Sequence, residues 1–493
     1  MKFISTRGGE AVSGAQAILA GIAPDGGLYT PEVFPKIDNA FLARLAGMDY
    51  PERAGEIFSL FLDDFDVAQL EYWAQNAYAK FDGDPAPLVK IDDTTFIMEL
   101  WHGPTLAFKD MALTVLPHLL TGAREICGED KKTLILVATS GDTGMAALAG
   151  FADVPDTEIV VLYPSEGVSK MQKLQMQTAQ GDNVHVFAIK GNFDDAQSAV
   201  KDIFNDKDAV AKLYERGYSL SSANSINWGR LQPQIAYYIS AYADLLAGGE
   251  IEEGEKVNFV VPTGNFGNVL AAYYAKMMGL PVKDLIVASN MNNVLADFFA
   301  SGEYDINRPF YKTISPSMDI LISSNFERLL FELTDRDAER VKELMADLQS
   351  RGTYMVDKAL LDKIAEFKGF YSTEEETFDS IANFFEMYDY LIDPHTSVAV
   401  SCLYKYLALT DSDTKNIVVS TASPYKFAQD VYKAITGKEE ADAFRAIDKL
   451  AEYSATDVPE VIAALKGKEV LHNGELKREN IKNSILELFG CTL

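Results

Sequence analysis

Short apolar runs rich in β-branched residues alternate with helical segments along most of this chain, and this alternation limits the possible folds more than any other feature. The runs are apolar on both faces, as the strands of a parallel sheet must be when helices cover both sides of it. The predicted strands lie at 133–137, 158–163, 184–189, 257–261, 285–288 and 416–419. The pattern therefore predicts an α/β protein with open, doubly wound sheets.

The N-terminal region differs from the rest of the chain. Apolar residues recur three and four positions apart between Ile57 and Tyr78, which predicts amphipathic helices. We expect a mainly helical region at 1–95, a smaller α/β domain at 96–220, and a larger α/β domain at 221–493 with a helical C-terminal part. No repeat or low-complexity linker separates these regions, so we expect the chain to interleave them.

The charge balance excludes several classes of partner. Of 493 residues, 73 are Asp or Glu and 44 are Lys or Arg, giving a formal net charge of −29. Such a chain repels nucleic-acid backbones and anionic membrane surfaces, and neither is expected as a partner. A small anionic ligand would need positive charge concentrated at its site.

The cysteines and the apolar runs bear on the compartment. Cys127, Cys402 and Cys491 are isolated, with no spacing typical of a metal site, so no metal is expected and a reduced compartment is favoured. No signal peptide is evident, and no apolar run approaches the ~18 to 20 residues that cross a bilayer. We expect a cytoplasmic protein.

Two loops after predicted strands have unusual chemistry, and ligands of open α/β sheets bind at that edge. Residues 139–144 place hydroxyls and two glycines before a helix, where free N–H groups can bind a carboxylate; simple N-capping is the alternative. In residues 262–268, Gly264 and Gly267 let backbone amides approach a phosphate, with a tight turn as the alternative. The second loop matches neither the dinucleotide-binding nor the P-loop signature.

Lys109 follows the apolar turn Leu106, Ala107 and Phe108. That setting would partly bury the amine and lower its pKa, as an imine-forming lysine requires. A solvated surface lysine is the commoner outcome for this residue type. Together with two anion-binding loops, the lysine favours pyridoxal phosphate as a cofactor.

Two further segments carry polar groups. Residues 221–230 offer serine and asparagine side chains and then Arg230, which could bind a phosphate bidentately; an exposed arginine beside a capped helix is the alternative. Residues 420–427 place hydroxyls directly after the strand at 416–419.

Together these segments resemble the threonine synthase family, pyridoxal-phosphate enzymes of fold type II related to tryptophan synthase β and to the serine and threonine dehydratases. The resemblance covers nearly the whole chain and is to the longer bacterial and fungal type. The matching segments are 5–8, 25–29, 102–110, 139–144, 224–230, 264–268, 393–396 and 421–427. The resemblance implies a fold type II architecture with two open, doubly wound sheets.

The resemblance also implies roles for individual residues. Lys109, in the smaller domain, would hold the cofactor through an imine. Thr421 would hydrogen-bond the pyridine nitrogen with a neutral hydroxyl. The residues implied for the cofactor phosphate, in the larger domain, are Gly264, Asn265, Phe266, Gly267 and Asn268. Those implied for the substrate are Ser140, Gly141 and Thr143 at its carboxylate, and Asn224, Ser225 and Arg230 at its phosphate.

The implied reaction converts O-phospho-L-homoserine and water to L-threonine and phosphate by γ-elimination and β-addition, the last step of threonine biosynthesis. Asp142 would lie near the 3′-oxygen of the cofactor, where many fold type II enzymes have Asn, and two anionic oxygens repel there unless they share a proton. Ser423 and Tyr425 also differ from the His and Ala expected of relatives.

Two alternatives stay open. A serine or threonine dehydratase would need no substrate-phosphate clamp, and a non-catalytic phospho-ligand-binding protein would not need Lys109. We expect a monomer or homodimer acting on a small molecule. His102 and His395 are expected to be structural, hydrogen-bonded histidines rather than acid or base catalysts.

Overall fold

The computed structural model describes residues 1–139, 141–165, 168–191, 193–410 and 413–491. Short N-terminal strands are followed by longer strands that alternate with helices. The strands are β1 (Phe3–Ser5), β2 (Tyr29–Pro31), β3 (Leu88–Lys90), β4 (Thr95–Glu99), β5 (Lys132–Ala138), β6 (Thr157–Pro164), β7 (Val184–Lys190), β8 (Tyr218–Ser221), β9 (Val257–Pro262), β10 (Val282–Ser289), β11 (Glu303–Asp305), β12 (Thr353–Met355), β13 (Phe367–Tyr371), β14 (Asn416–Ser420) and β15 (Glu475–Lys477).

Helices cover these strands and form most of the N-terminal region. They are α1 (Gly14–Ala20), α2 (Asn39–Leu45), α3 (Tyr50–Phe61), α4 (Val67–Tyr78), α5 (Asp110–Leu113), α6 (Leu116–Cys127), α7 (Asp142–Phe151), α8 (Lys170–Gln177), α9 (Phe193–Asn205), α10 (Lys207–Glu215), α11 (Trp228–Ala247), α12 (Gly267–Met278), α13 (Val294–Ser301), α14 (Phe326–Leu333), α15 (Ala338–Arg351), α16 (Lys358–Asp362), α17 (Glu374–Tyr388), α18 (Pro394–Leu409), α19 (Ala428–Thr436), α20 (Ala443–Ser454), α21 (Glu460–Ala463) and α22 (Ile481–Leu488). Short 3₁₀ turns lie at Pro316–Met318, Pro424–Phe427 and Arg478–Asn480.

Two larger sheets carry the fold. The six-stranded sheet has the order β13-β10-β9-β14-β4-β3, parallel except for the edge pair β3 and β4. The five-stranded sheet has the order β15-β7-β6-β5-β8 and is parallel throughout. Two antiparallel ribbons, β1 with β2 and β11 with β12, complete the strand pairing of the described chain.

Burial of both sheet faces explains why the central strands are continuous apolar runs in the sequence. Every residue of β4, β9 and β14 is buried, because helices cover both faces of the six-stranded sheet. Val418 lies opposite both Ile97 and Val260, so these three strands end at nearly the same level. Their loops therefore meet at one edge of the sheet.

The predicted α/β class is confirmed, and the six predicted strands are observed as β5, β6, β7, β9, β10 and β14. Four further strands of the large sheets were not predicted: β3, β4, β8 and β13. The C-terminal region, expected to be helical, also contributes β15 to the edge of the five-stranded sheet.

The two sheets do not follow the expected divisions at 95 and 220. Strand β4 lies at the start of the segment assigned to the smaller domain, yet it pairs with β14 in the six-stranded sheet. Strand β15 lies in the segment assigned to the larger domain, yet it pairs with β7 in the five-stranded sheet. The chain crosses between the sheets more often than the three-region division allows, and the division itself stays a prediction.

In the part of the chain that the structure describes, no helix is both long and apolar enough to cross a membrane.

Candidate active site

Loops from both large sheets meet around the side chain of Lys109. Lys109 comes just after β4 and directly precedes α5, and its side chain is 13% exposed. Its Nζ lies 3.8 Å from Oδ2 of Asp142, which begins α7 after the loop that follows β5. The site is therefore built between the six-stranded and the five-stranded sheet.

The turn that presents Lys109 is held by its neighbours in sequence and by the loop after β14. Leu106 has a left-handed backbone (φ 58°), a conformation that is strained for a residue other than glycine. The Phe108 N–H donates to the carbonyl of Thr421 at 2.8 Å, and the Ser423 N–H donates to the carbonyl of Leu106 at 3.1 Å. The loops after β4 and β14 thus fix one another, and Thr421 lies beside the lysine turn.

Asp110 closes the same turn. Its buried carboxylate accepts hydrogen bonds from the N–H and the hydroxyl of Thr105, at 2.8 and 2.6 Å. Burial raises the pKa of Asp110 to about 6. A side chain on Gly103 would meet the Asp110 side chain at 2.5 Å, so this position requires glycine.

Asp142 is the electrostatic centre of the site. Its Oδ1 lies 2.7 Å from Nζ of Lys426 and accepts a hydrogen bond from the Gln172 amide at 3.0 Å. Its Oδ2 accepts a hydrogen bond from the Ser317 hydroxyl at 3.1 Å and lies near Lys109. Burial disfavours the ionised carboxylate, but the charges of Lys426 and Lys109 outweigh this and hold the pKa of Asp142 well below its usual range.

Lys426 connects three loops with one buried ammonium group. It belongs to the loop after β14 and is fully buried. Its Nζ donates to the carbonyl of Thr105 in the lysine turn at 2.8 Å and pairs with Asp142. Lys426 therefore ties the six-stranded sheet to the five-stranded sheet at the site.

A histidine supports the same carboxylate indirectly. The Ser317 N–H donates to Nε2 of His395 at 3.2 Å, which leaves Nδ1 of the ring to carry the proton and to face Asp393 at 2.6 Å. Asp393 caps α18. His395 is buried and hydrogen-bonded, and His102 is half-buried and contacts Glu99, which agrees with the structural role expected for both histidines.

The protonation of Lys109 follows from these surroundings. Burial is the main cause that lowers the pKa of its amine; Asp142 opposes this effect and the positive charges of Lys426 and Arg230 add to it, and the resulting pKa is about 8. A substantial fraction of the amine is therefore neutral and nucleophilic near pH 8.

The loop after β9 is shaped to admit an anion. Gly264 approaches the carbonyl of Ser317 so closely that a Cβ would meet it at 2.7 Å, and Phe266 has a left-handed backbone (φ 64°). Helix α12 begins at Gly267, and its first N–H groups have no partner within the helix. The buried Nδ2 of Asn268 has no hydrogen-bond partner. A phosphate group fits this donor set.

Arg230, near the start of α11, is a second group that could bind an anion. It is 4% exposed, donates from Nη1 to the carbonyl of Ala223, and has a buried Nε without a partner. Burial lowers the pKa of its guanidinium to about 10, so it stays protonated at neutral pH. In the described ranges, no carboxylate forms an ion pair with it.

Asn325 links the loop after β9 to the segment that precedes α11. Its N–H donates to the carbonyl of Asn265 at 3.1 Å, and its side-chain amide donates to the carbonyl of Ser225 at 3.2 Å. The buried Arg328 holds Asn325 through Nη1 and donates from Nη2 to the carbonyl of Ile226 at 2.7 Å. The segment around Asn224, Ser225 and Arg230 is thus joined to the loop after β9.

The expected site residues come together in part. The structure places Lys109 beside Asp142 and Thr421 beside the lysine turn, and it joins the loops at 224–230 and 264–268. Gly141 is buried and Thr143 half-buried at the start of α7, whereas Ser140 lies outside the described residues. Sequence reasoning missed Lys426, Ser317, Gln172 and Asn325. Of these, only Lys426 lay in a segment already singled out, 420–427.

Three family models match the chain. One described as "Threonine synthase N terminus" matches residues 2–78, one described as "Pyridoxal-phosphate dependent enzyme" matches residues 81–346, and one described as "Threonine synthase, C-terminal" matches residues 396–468.

Proteins and solved structures that are similar to this chain are named as threonine synthases or threonine synthase-like proteins. Human "Threonine synthase-like 1" is 40% identical over 440 residues, which cover 86% of this chain but only 58% of that protein. Threonine synthase of Pseudomonas aeruginosa is 38% identical over 445 residues, covering 90% of this chain and 92% of that protein. The crystal structure of pyridoxal-phosphate-bound threonine synthase from Brucella melitensis has a TM-score of 0.87 and 37% identity, covering 99% of this chain and 98% of that one. The yeast threonine synthase structure has the same TM-score at 33% identity, with the same coverage.

The lowered pKa of Lys109 predicts how cofactor-free protein reacts with an aldehyde. Because only the neutral amine attacks, the rate of reaction with pyridoxal should rise with pH and level off above about 8. The rate is measured by absorbance, after subtraction of the rate of K109A. A rate that keeps rising to about pH 10, as for a solvated lysine, would contradict the assigned environment.

The buried pair Lys426–Asp142 predicts a large loss of stability when one partner is removed. K426M should lower the free energy of unfolding in urea by about 3–5 kcal/mol, because it leaves the buried Asp142 carboxylate without its nearest positive charge. The double variant K426M/D142N should lose less than the sum of the two single variants. The pair Lys405–Glu376, with N and O atoms 2.8 Å apart but partly exposed, is the matched control, and K405M should cost about 1 kcal/mol or less. Equal effects of K426M and K405M would refute this view of Lys426.

Proposed function

The chain belongs to the threonine synthase family of pyridoxal-phosphate-dependent enzymes, and we propose that it converts O-phospho-L-homoserine and water to L-threonine and phosphate. The matches to three family models, over residues 2–78, 81–346 and 396–468, support this proposal. The enzyme would be a carbon–oxygen lyase of fold type II acting at the last step of threonine biosynthesis.

Arg230 is the observation that carries the substrate assignment. A buried guanidinium with an unpartnered Nε and no neutralising carboxylate in the described chain calls for an anionic ligand. Its charge also acts on Lys109, so the anion would lie near the reactive amine. O-phospho-L-homoserine has both a phosphate for Arg230 and an amino group for chemistry at Lys109, and Asn224 and Ser225 would complete the phosphate clamp.

The donor set around the site fits pyridoxal phosphate. The loop from Gly264 to Asn268 would hold its phosphate, Lys109 its aldehyde carbon, and Thr421 its ring nitrogen. Asp142 would face its 3′-oxygen, and the repulsion expected there is offset because Lys426 and Lys109 already neutralise the carboxylate. When bound, the cofactor supplies a ring that withdraws electrons from the carbon next to the amino nitrogen.

Lys109 and Arg230 would act on different parts of the substrate, Lys109 in proton transfer and Arg230 at the phosphate. Lys109, once freed by the substrate amine, would accept a proton from the substrate at Nζ, and Asp142 at 3.8 Å would stabilise the resulting ammonium. Arg230 would stabilise the charge that develops on the departing phosphate. The N–H groups at the start of α7, with Gly141, Thr143 and Ser140, would orient the substrate carboxylate.

The alternatives fit less well. A serine or threonine dehydratase does not require a buried arginine without a counter-ion, because its substrates carry no phosphate. A non-catalytic protein that binds a phosphorylated ligand does not require a nearly buried lysine whose pKa is lowered to about 8. Both features together favour the synthase.

The cellular setting is part of the proposal. Three free cysteines, Cys127, Cys402 and Cys491, support a reduced compartment, and we place the enzyme in the cytoplasm. The net charge of −29 supports a small-molecule enzyme without nucleic-acid or membrane partners. A monomer or homodimer remains our prediction.

Replacing Lys109 tests the cofactor assignment. K109A should lose the visible absorbance of the lysine-linked cofactor and at least about 10³-fold in threonine formation, because the amine that forms the imine is removed. Absorbance and threonine formation are measured on the same samples. K405M, distant in the fold from this chemistry, serves as the control. A K109A protein that kept the borohydride-sensitive absorbance would show that the cofactor is bound elsewhere.

Replacing Arg230 tests the substrate assignment. R230A should lower kcat/KM for O-phospho-L-homoserine by roughly 30-fold or more, and R230K should recover only part, because lysine lacks the planar fork that binds phosphate. Binding of L-threonine, which has no phosphate, should change by less than about threefold when followed by visible absorbance. If threonine binding fell as far as phosphohomoserine turnover, Arg230 would not be a phosphate-specific group. The exposed Arg340 provides a control, R340A, with no expected effect on either.

A further inference from the structure

Two adjacent buried tyrosines of α11 contact the cofactor-phosphate loop at one atom. We propose that Tyr237 and Tyr238 are positioning residues that orient the side-chain amide of Asn268 so that its NH₂ group faces the cofactor phosphate. This inference rests on the proposed function, since it takes the loop from Gly264 to Asn268 as the cofactor-phosphate site.

The hydrogen bonds define one orientation of the Asn268 amide. The hydroxyls of Tyr237 and Tyr238 donate to Oδ1 of Asn268, at 2.5 and 2.6 Å. Two donors saturate the lone pairs of that oxygen. With Oδ1 bound to both hydroxyls, the NH₂ group forms no hydrogen bond with either tyrosine.

The other end of the same amide is left free. Asn268 is 6% exposed, and its Nδ2 is buried without a partner. An unpaired buried donor costs free energy unless an acceptor arrives, so an asparagine with only a packing role would not be held in this way. Asn268 is the second residue of α12, where the first N–H groups of the helix also have no partner within the helix and are available to an anion. The amide thus adds a fixed side-chain donor to the backbone donors.

The tyrosines are themselves held rigidly and remain donors. Both rings are fully buried, and burial raises the pKa of each hydroxyl well above its usual value near 10. The ring of Tyr238 packs edge-on against Phe259 of β9, with centroids 4.8 Å apart. The hydroxyl of Tyr237 is 3.2 Å from Oε1 of Gln234, which is farther than Asn268, so its single proton goes to Asn268.

The same helix serves both phosphate sites. The Gln234 amide donates to the carbonyl of Arg230 at 2.8 Å, one turn before the tyrosines. Helix α11 therefore holds Arg230 for the substrate phosphate and, through Tyr237 and Tyr238, Asn268 for the cofactor phosphate. Its position fixes the spacing of the two anion sites.

The affinity for pyridoxal phosphate tests the positioning role of the tyrosines without depending on enzyme activity. Full-length protein freed of cofactor is titrated with pyridoxal phosphate, and binding is followed by visible absorbance. Y237F/Y238F should raise the dissociation constant by roughly tenfold or more, close to the effect of N268A, and the two changes together with N268A should add nothing further. Affinity for pyridoxal, which lacks the phosphate, should be the same in all variants.

Tyr242 of the same helix is the matched control. It is also fully buried, but its hydroxyl donates to the carbonyl of Glu255, so Y242F should leave the affinity for pyridoxal phosphate unchanged. The single variant Y238F keeps one donor and should show an intermediate loss. It provides the test if the double variant does not fold.

The outcomes separate this inference from the function on which it rests. If N268A weakens binding of pyridoxal phosphate and Y237F/Y238F does not, the positioning role is wrong and the phosphate site stands. If the tyrosine variants weaken pyridoxal binding equally, their role is packing and the proposal is overturned. If N268A has no effect, the Asn268 amide does not bind the phosphate and the inference is overturned, while the backbone donors of the loop remain as the proposed phosphate site.

Discussion

The buried carboxylate of Asp142 holds the active site together, because a charge inside a protein is stable only when it is paired and hydrogen-bonded. Lys426 pairs with it at 2.7 Å, Lys109 lies 3.8 Å away, and the Ser317 hydroxyl donates to it. Asp142 comes from the five-stranded sheet, whereas the two lysines follow strands of the six-stranded sheet. One ionised group therefore links the two sheets and forms part of the surroundings of Lys109.

This centre also explains how a strongly acidic protein can bind anionic ligands. The net charge of −29 is spread over the whole chain, while Lys109, Lys426 and Arg230 are buried near one another. Desolvation makes their fields strong over short distances, whereas exposed acidic groups are screened by water and salt. In the proposed function, two phosphate groups would meet backbone N–H groups, an amide and a guanidinium at this site. The global charge bears on solubility, and the local donors bear on binding.

Features visible in the sequence are those set by local patterns. Strands such as β9 and β14 were predicted because both of their faces are apolar. Lys109 was singled out by the apolar turn before it, and its expected role came from the resemblance to the family. Strand β15 was missed because the edge strand Glu475–Lys477 carries two charged side chains and is defined only by its pairing with β7. Lys426 was missed because the sequence does not distinguish a buried lysine that joins two loops from a lysine on the surface. Its role depends on a contact with a residue 284 positions earlier, 426 − 142, that no local pattern encodes.

We propose that this site removes phosphate from O-phospho-L-homoserine and adds water to form L-threonine. The most direct measurement follows both products after the purified protein, loaded with pyridoxal phosphate, is mixed with O-phospho-L-homoserine. We expect one L-threonine for each phosphate released. Phosphate release without L-threonine, or no turnover by protein that shows the lysine-linked absorbance, would contradict the account.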